Sequence, residues 1–398
     1  MSHFVNLLSF ASVMKSVGGV LLAVVILLVM VTIHEFGHYV AGKLLGFKIN
    51  EFSVGFGPAI FKKRSKKTGE LFALRVIPLG GYCAFDGEDE YEEETSQSES
   101  AETQEPFAEM QSQDMQTTEK PQEEDEYPEP QGERFNDQAP WKRIIVLIAG
   151  ATMNYLLALF LIFGMFGFIG QPLYEVTAPR EGKYLAPVYE AGDIIETVEG
   201  KNVYLITDYL DILSGKQKGD VVEVGVIRQG ERTLLQVTLE QDASFVNMSD
   251  TGTLLGALGL DGLRMVTYKN GFFQTLGRSV VYSFKIGGTV LRSLGELLTG
   301  KLGLEAMGGP VTTITVTAQA ASGGALQFLN IAALIGVNLA VFNLLPIPAL
   351  DGCKVIFCFI EWIRKKPVNR KVETIIHFVG IIALFAFAIL VDVLQWIT

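Results

Sequence analysis

Four stretches of this chain are too apolar and too long for the surface helices of a water-soluble domain. Residues 17–33 carry no charge and run straight into His34. Residues 144–174 are uncharged over 31 positions, and residues 306–350 over 45. The first half of that third run is rich in Gly, Ser, Thr and Gln, and its apolar part begins near Leu326. Residues 374–398 contain a fourth uncharged stretch at 378–391. About 20 apolar residues in a helix cross the hydrocarbon core of a bilayer. The chain is therefore expected to be a polytopic α-helical membrane protein with four transmembrane helices. The first run has an alternative reading as a signal peptide. Its length, the absence of a small-residue cleavage pattern after it, and a catalytic-looking motif at its end argue against that.

Charge at the flanks gives an orientation. Lys43, Lys48, Lys62, Lys63, Arg64, Lys66 and Lys67 follow the first run, and Lys142 and Arg143 precede the second. Arg364, Lys365, Lys366, Arg370 and Lys371 lie between the third and fourth. Lysine and arginine favour the cytoplasmic side, and an even number of spans separates the two clusters. Both termini and residues 172–272 are then expected outside. The net charge of −12 misleads as an average. Residues 86–138 hold 20 of the 44 acidic residues with only Lys120 and Arg134 against them, leaving the remainder mildly basic. That tract is poor in aliphatics and cannot bury enough apolar surface to offset ordering, so it is expected to be a disordered cytoplasmic insertion. It reads as a solvated tether, or alternatively as a docking tail for a basic partner. No basic nucleic-acid footprint exists. Cys83, Cys353 and Cys358 are too few and too scattered for a disulfide framework or a zinc ribbon.

Residues 172–265 have the pattern of a small β-rich domain. Residues 221–228 (VVEVGVIR) and 233–239 (TLLQVTL) are strand-like and are joined by Gln229, Gly230 and Glu231. An AGD-I-I segment at 191–195 and an EGKNV segment at 199–203 precede them, and GALGL at 256–260 follows as a glycine-flanked strand. This order resembles a PDZ domain; the plainer reading is an unassigned β-sandwich. Residues 272–298 alternate apolar positions with Arg278, Lys285, Arg292 and Glu296, as an amphipathic helix at the outer membrane face would.

The chemistry lies inside the apolar runs. His34-Glu35-Phe36-Gly37-His38 is an H-E-x-x-H motif. On a helix its two histidines share a face and can bind one Zn²⁺, with the glutamate beside them as general base. Ionisable side chains at membrane depth are costly and point to function; the alternative is a structural histidine pair. Zinc needs a third protein ligand, and Asp351 is the best candidate, closing the uncharged run in NLLPIPALDG at 343–352. The prolines there break the helix, which a membrane tolerates only where the backbone is buried in protein or lines a cavity. A helix-capping role is the alternative for Asp351. His3 and His377 receive no role.

HEFGH in a first span, NLLPIPALDG in a third, and a PDZ-like domain between them resemble the site-2 protease family of intramembrane zinc metalloproteases, in its bacterial RseP/RasP-like members with one PDZ domain. GFGP at 55–58, RVIPLGGY at 75–82 and AGATMN at 149–154 add to the resemblance. It implies His34, His38 and Asp351 as zinc ligands, Glu35 as catalytic acid/base, and Asn343 as a residue that holds substrate. Asn154 is a further substrate-site candidate, or else a helix–helix hydrogen bond. Residues 71–85 resemble a membrane-associated, re-entrant β-hairpin that pairs with unwound substrate. Gly150-Ala151 departs from the family's usual Gly-Pro, as does Cys83-Ala84-Phe85 from the usual end of the hairpin.

The expected organisation is a first transmembrane helix with the hairpin over 1–85, the acidic insertion over 86–138 and a second span over 139–171. An extracytoplasmic PDZ-like domain over 172–265, an interfacial segment over 266–325, and the last two spans over 326–398 follow. The expected function is regulated intramembrane proteolysis in a bacterial plasma membrane. Expected partners are the lipid bilayer, single-pass substrates such as anti-sigma factors or remnant signal peptides, and an upstream site-1 protease acting on the same substrate. A non-proteolytic zinc-binding scaffold is the alternative, disfavoured by Glu35. A transporter would show internal repeats.

Overall fold

The computed structural model describes residues 10–88, 127–179, 188–245, 250–304 and 307–397. Most of the acidic tract, and its expected disorder, lies outside these residues. Among the described residues, four helices are long and apolar enough to cross a membrane: 17–45 of α1 (Phe10–Leu45), α2 (Pro140–Phe168), α7 (Ala325–Asn343), and 370–395 of α9 (Arg370–Ile397). At about 1.5 Å per residue even the 19 residues of α7 approach the thickness of the hydrocarbon core. α9 keeps bulky apolar side chains such as Phe378 and Phe385 exposed along its length, a surface suited to lipid rather than water.

α2 is the centre of the helical body and packs against α1, α7 and the 14-residue α8 (Asp351–Arg364). Small residues set these approaches. A Cβ on Gly336 of α7 would lie 3.0 Å from Ala158 Cβ on α2 and 3.3 Å from Met30 Sδ on α1. Between α2 and α8, Arg143 pairs with Glu361, each side chain only 4% exposed. Glu361 also accepts the Val368 amide at 2.9 Å and faces Arg370 at 3.1 Å. Such a pair contributes little net stability, but removing one partner strands a buried charge at a cost of about 3–5 kcal/mol.

The hairpin is larger than its sequence signature. β1 (Ile49–Arg64) pairs antiparallel with β2 (Leu71–Phe85), but both strands fold back on themselves. Residues 51–54 are matched with 81–84 on one side and 71–74 on the other, and 59–64 flank 71–75. The result is a four-ply sheet. Residues 71–74 are paired on both sides and cannot accept a further strand, whereas 81–85 are paired on one side among the described residues. Residues 127–138, expected to be disordered with the rest of the acidic tract, instead pack against the base of this sheet. The Phe135 ring lies 5.5 Å from both Phe47 and Phe85, and Glu133 exchanges backbone hydrogen bonds with Gly46 and Lys48. One aromatic with a complementary pocket offsets a composition that fails on average.

A separate mixed domain follows α2. Its sheet runs β7 (Glu231–Thr238), β6 (Val221–Arg228), β4 (Ile194–Val198), β3 (Gln171–Pro179), β8 (Leu260–Tyr268), with β5 (Lys201–Asn202) on β4. α3 (Ile206–Leu213) and α4 (Thr251–Leu258) bury Tyr209, Leu213, Leu254 and Ala257 against it. The expected strand at 256–260 is therefore corrected. Residues 256–258 end α4, Gly259 caps it in the left-handed region at φ 68°, and the strand begins only at Leu260.

α5 (Phe272–Leu298) is amphipathic, as its sequence suggests, but its charges face this domain. Arg278, Lys285 and Arg292, spaced seven apart, pair with Glu196, Asp208 and Asp211. Burial pushes the Glu196 carboxyl up, but Arg232 and Arg278 outweigh it and hold it below its ordinary range. The opposite face of α5 meets the spans: Tyr282 donates to Asn330 of α7 at 2.8 Å, and Ser283 shares a 2.7 Å hydrogen bond with Tyr155 of α2. α6 (Pro310–Gly323) packs on α1 and α7.

Candidate metal centre

Two elements far apart in sequence build the centre. His34 and His38 stand one turn apart on α1, and Asp351 is the first residue of α8. His34 Nε2 lies 3.0 Å from Asp351 Oδ2, His38 Nε2 lies 3.4 Å from the same oxygen, and the two Nε2 atoms are 3.1 Å apart. Four ligands held tetrahedrally at 2.0–2.2 Å would be separated by about 3.3–3.6 Å, so these three atoms are close to the spacing that zinc would impose. Asp351 Oδ2 is buried yet makes no hydrogen bond of acceptable geometry. The N-cap position of α8 is held by Leu350, and Asp351 is the first helical residue, so Asp351 does not occupy the capping position.

The His38 imidazole is held in the required tautomer. His38 Nδ1 donates to the Val146 carbonyl at 2.8 Å, leaving the Nε2 lone pair for a metal. His34 Nδ1 lies 3.4 Å from the side-chain amides of both Asn154 and Asn343. With Nε2 turned to the centre, Nδ1 carries hydrogen and needs an acceptor. Half a turn of the Asn154 amide supplies one, and its Oδ1 is buried and otherwise without a hydrogen-bond partner. The two asparagines thus meet at one ligand rather than lining a separate pocket. Glu35 is half-buried, its Cγ only 3.2 Å from where a Cβ on Gly81 would sit, so a face of the sheet's 81–85 strand lies against it.

Four contributors carry no signal of their own in the sequence. A Cβ on Gly150 would sit 2.4 Å from His38 Nε2 and 2.8 Å from His34 Cε1, and one on Gly37 would sit 2.4 Å from the Ala149 carbonyl oxygen. Helices α1 and α2 touch here because both positions lack side chains. His377, which received no role, accepts the Ala349 amide at 3.1 Å. Ala349 has φ 79°, a strained conformation for a residue with a Cβ, so α9 holds the loop that presents Asp351. Gly352 has no room for a side chain, with a Cβ there 2.3 Å from the Leu345 carbonyl oxygen. The glycines are legible only as part of the motifs around them.

Two histidines, one carboxylate and a neighbouring glutamate form the donor set of a zinc hydrolase, and His34, His38 and Asp351 could hold the ion. Sequence comparison agrees. The profile of "Peptidase family M50" matches residues 22–387. "Zinc metalloprotease RasP" of Bacillus licheniformis is 26% identical over 91% of this chain and 94% of its own length. "Regulator of sigma-W protease RasP" of Bacillus subtilis is 26% identical over 94% and 97%. A "putative zinc metalloprotease" of Clostridium perfringens is 30% identical over 92% and 94%. With both histidines on a helix long and apolar enough to cross a membrane, the chain belongs to peptidase family M50, the site-2 proteases, and is an intramembrane zinc metalloprotease.

Proposed function

We propose that the enzyme performs regulated intramembrane proteolysis, cutting the transmembrane segments of single-pass proteins already trimmed by an upstream site-1 protease. The observation that carries this reading is the meeting of His34, His38 and Asp351 beside Glu35 within the helical body. A relative named as a regulator of sigma-W supports membrane-anchored anti-sigma factors as a substrate class; remnant signal peptides are the other.

His34, His38 and Asp351 would hold the ion. Zinc, once bound, supplies Lewis acidity that polarises the scissile carbonyl and lets water lose a proton near neutral pH. Glu35 takes that proton as the water oxygen attacks the carbonyl carbon, and returns it to the departing amine. Asn154 and Asn343 fix the His34 ring, and Asn343 also contacts substrate. A helical substrate must unwind first, and residues 81–85 offer their open edge as a strand partner. Comparing membrane-retained fragments in cells carrying the wild type or Glu35→Gln tests the function. Single-pass remnants should accumulate with the variant, and an unchanged membrane proteome would sink the proposal.

The mixed domain over 172–265 is read as PDZ-like and extracytoplasmic, with both termini on the same side and the enzyme in a bacterial plasma membrane. In this arrangement the domain excludes substrates whose outer portions are still bulky. A cysteine introduced at Ser244 should react with an impermeant thiol reagent in intact cells, and one at Ser98 should not. Labelling at Ser98 alone inverts the topology.

A further inference from the structure

The folded-back sheet over 49–85 presents two chemistries at two depths. Its turn over 65–70 is fastened to the last turns of α1: Glu70 accepts from Lys43 Nζ at 2.6 Å and from Tyr39 at 3.1 Å. Its other end reaches back along α1, where Gly81, matched with Val54, lies against Val31 and Glu35. Glu35 and Lys43 are eight residues apart on the helix, about 12 Å along its axis. From the Gly81 level outward, away from the turn, the sheet exposes Phe56, Ile60, Phe61, Val76 and Ile77, at 44–66% of their surfaces. An apolar surface of that size on a soluble face marks an interaction site. Beside a span, its natural solvent is lipid.

At the Lys43 level the chemistry changes abruptly. Lys62, Lys63, Arg64, Lys66 and Lys67 follow the apolar edge within six positions. Lys62, Lys63 and Lys67 are exposed and form no ion pair with any described residue. Arg64 reaches back to the Gly69 carbonyl and shapes the turn. We propose that the basic collar at the base of this sheet binds anionic phospholipid headgroups, making it a recognition surface for an anionic leaflet, with the apolar part of the sheet as the lipid-seated wedge that the family resemblance implies. The inference rests on α1 spanning the membrane, as the proposed function does. Charge complementarity selects the ligand: a neutral, zwitterionic surface would be served by the apolar edge alone, whereas clustered lysines beside a span attract anionic lipid. Because residues 81–85 and the collar belong to one sheet, seating the collar also sets the strand that lies against Glu35.

The test uses the full-length protein in detergent, titrated with short-chain phosphatidylglycerol or phosphatidylcholine and read by native mass spectrometry. Each basic residue near an anionic surface is worth about a five-fold preference. Wild type should therefore retain phosphatidylglycerol over phosphatidylcholine by at least about ten-fold. The Lys62→Gln, Lys63→Gln, Lys67→Gln triple variant should lose at least about ten-fold of that preference, and a Lys201→Gln, Lys216→Gln, Lys218→Gln control in the mixed domain should keep it. A triple variant with undiminished preference overturns the proposal. So does displacement of the lipid by polyglutamate at matched charge and ionic strength, which would assign the collar to an acidic polypeptide. Depth is read separately in vesicles containing brominated lipid. Tryptophan at Phe61 should be quenched as strongly as tryptophan at Phe385 of α9. Quenching at Phe385 alone removes the wedge and leaves the membrane enzyme standing, whereas quenching at neither removes the spanning reading itself.

Discussion

Asp351→Ala should leave a folded membrane protein that no longer retains stoichiometric zinc and cleaves at least about 10³-fold more slowly, a loss of about 4 kcal/mol of transition-state stabilisation. His34→Ala and His38→Ala should behave alike, because all three residues place ligand atoms within 3.4 Å of one another. Glu35→Gln separates binding from chemistry. It keeps the side-chain volume beside Gly81 and removes the proton acceptor, so zinc should stay at one equivalent while cleavage falls by about 10²–10⁴-fold. Asn154→Ala should be intermediate, with zinc affinity lower by about 10–100-fold as the His34 ring loses its acceptor. Metal analysis of the purified variants, alongside cleavage of a reconstituted single-span substrate, measures both quantities. Full zinc occupancy in Asp351→Ala would place the third ligand elsewhere.

The catalytic pattern was legible because it is local and costly. His34, Glu35 and His38 lie on one helical stretch at a fixed spacing, and their cost in an apolar run flags them without any knowledge of the fold. Asp351 was legible for a similar reason, as the charge that ends a long uncharged run after two prolines. The spans followed from length and hydropathy alone. What escaped depends on partners distant in sequence. β1 was overlooked because residues 49–64 mix glycines, aromatics and lysines in no clean alternation. Its halves pair with different parts of β2, so no single period describes it.

The charged stripe of α5 shows the same limit from the other side. Seven-residue spacing of Arg278, Lys285 and Arg292 marks one face correctly, but a face has no address until its partner is known. Glu196 of β4 and Asp208 and Asp211 of α3 supply that partner from 77–82 residues earlier. The same stripe suits a headgroup layer or an acidic protein surface, and only the fold chooses. Phe135 carries a related lesson: composition over 86–138 misses the one aromatic that docks between Phe47 and Phe85.

Glycines are the hardest to read, because their role is the space they leave, and Gly150 has the most consequential of these spaces. Gly150→Ala adds one methyl group that would overlap His38 Nε2 at 2.4 Å and approach His34 Cε1 at 2.8 Å. Neither ring can simply move aside. His38 is tied to the Val146 carbonyl of the same helix, and His34 is enclosed by Asn154 and Asn343. The strain should appear as displaced ligands, with zinc affinity lower by at least about 100-fold and a stability cost of about 1–3 kcal/mol from overpacking. Two other glycines of α2 provide the control. Gly164 and Gly167 have nothing within 4 Å of an added Cβ, and replacing glycine by alanine inside a helix otherwise stabilises by about 1 kcal/mol. Gly164→Ala and Gly167→Ala should therefore bind zinc normally and unfold no more readily than wild type. If Gly150→Ala also bound zinc normally, α1 and α2 would have to lie farther apart than the present packing allows, and the tight helix contact would lose its role in placing the ligands.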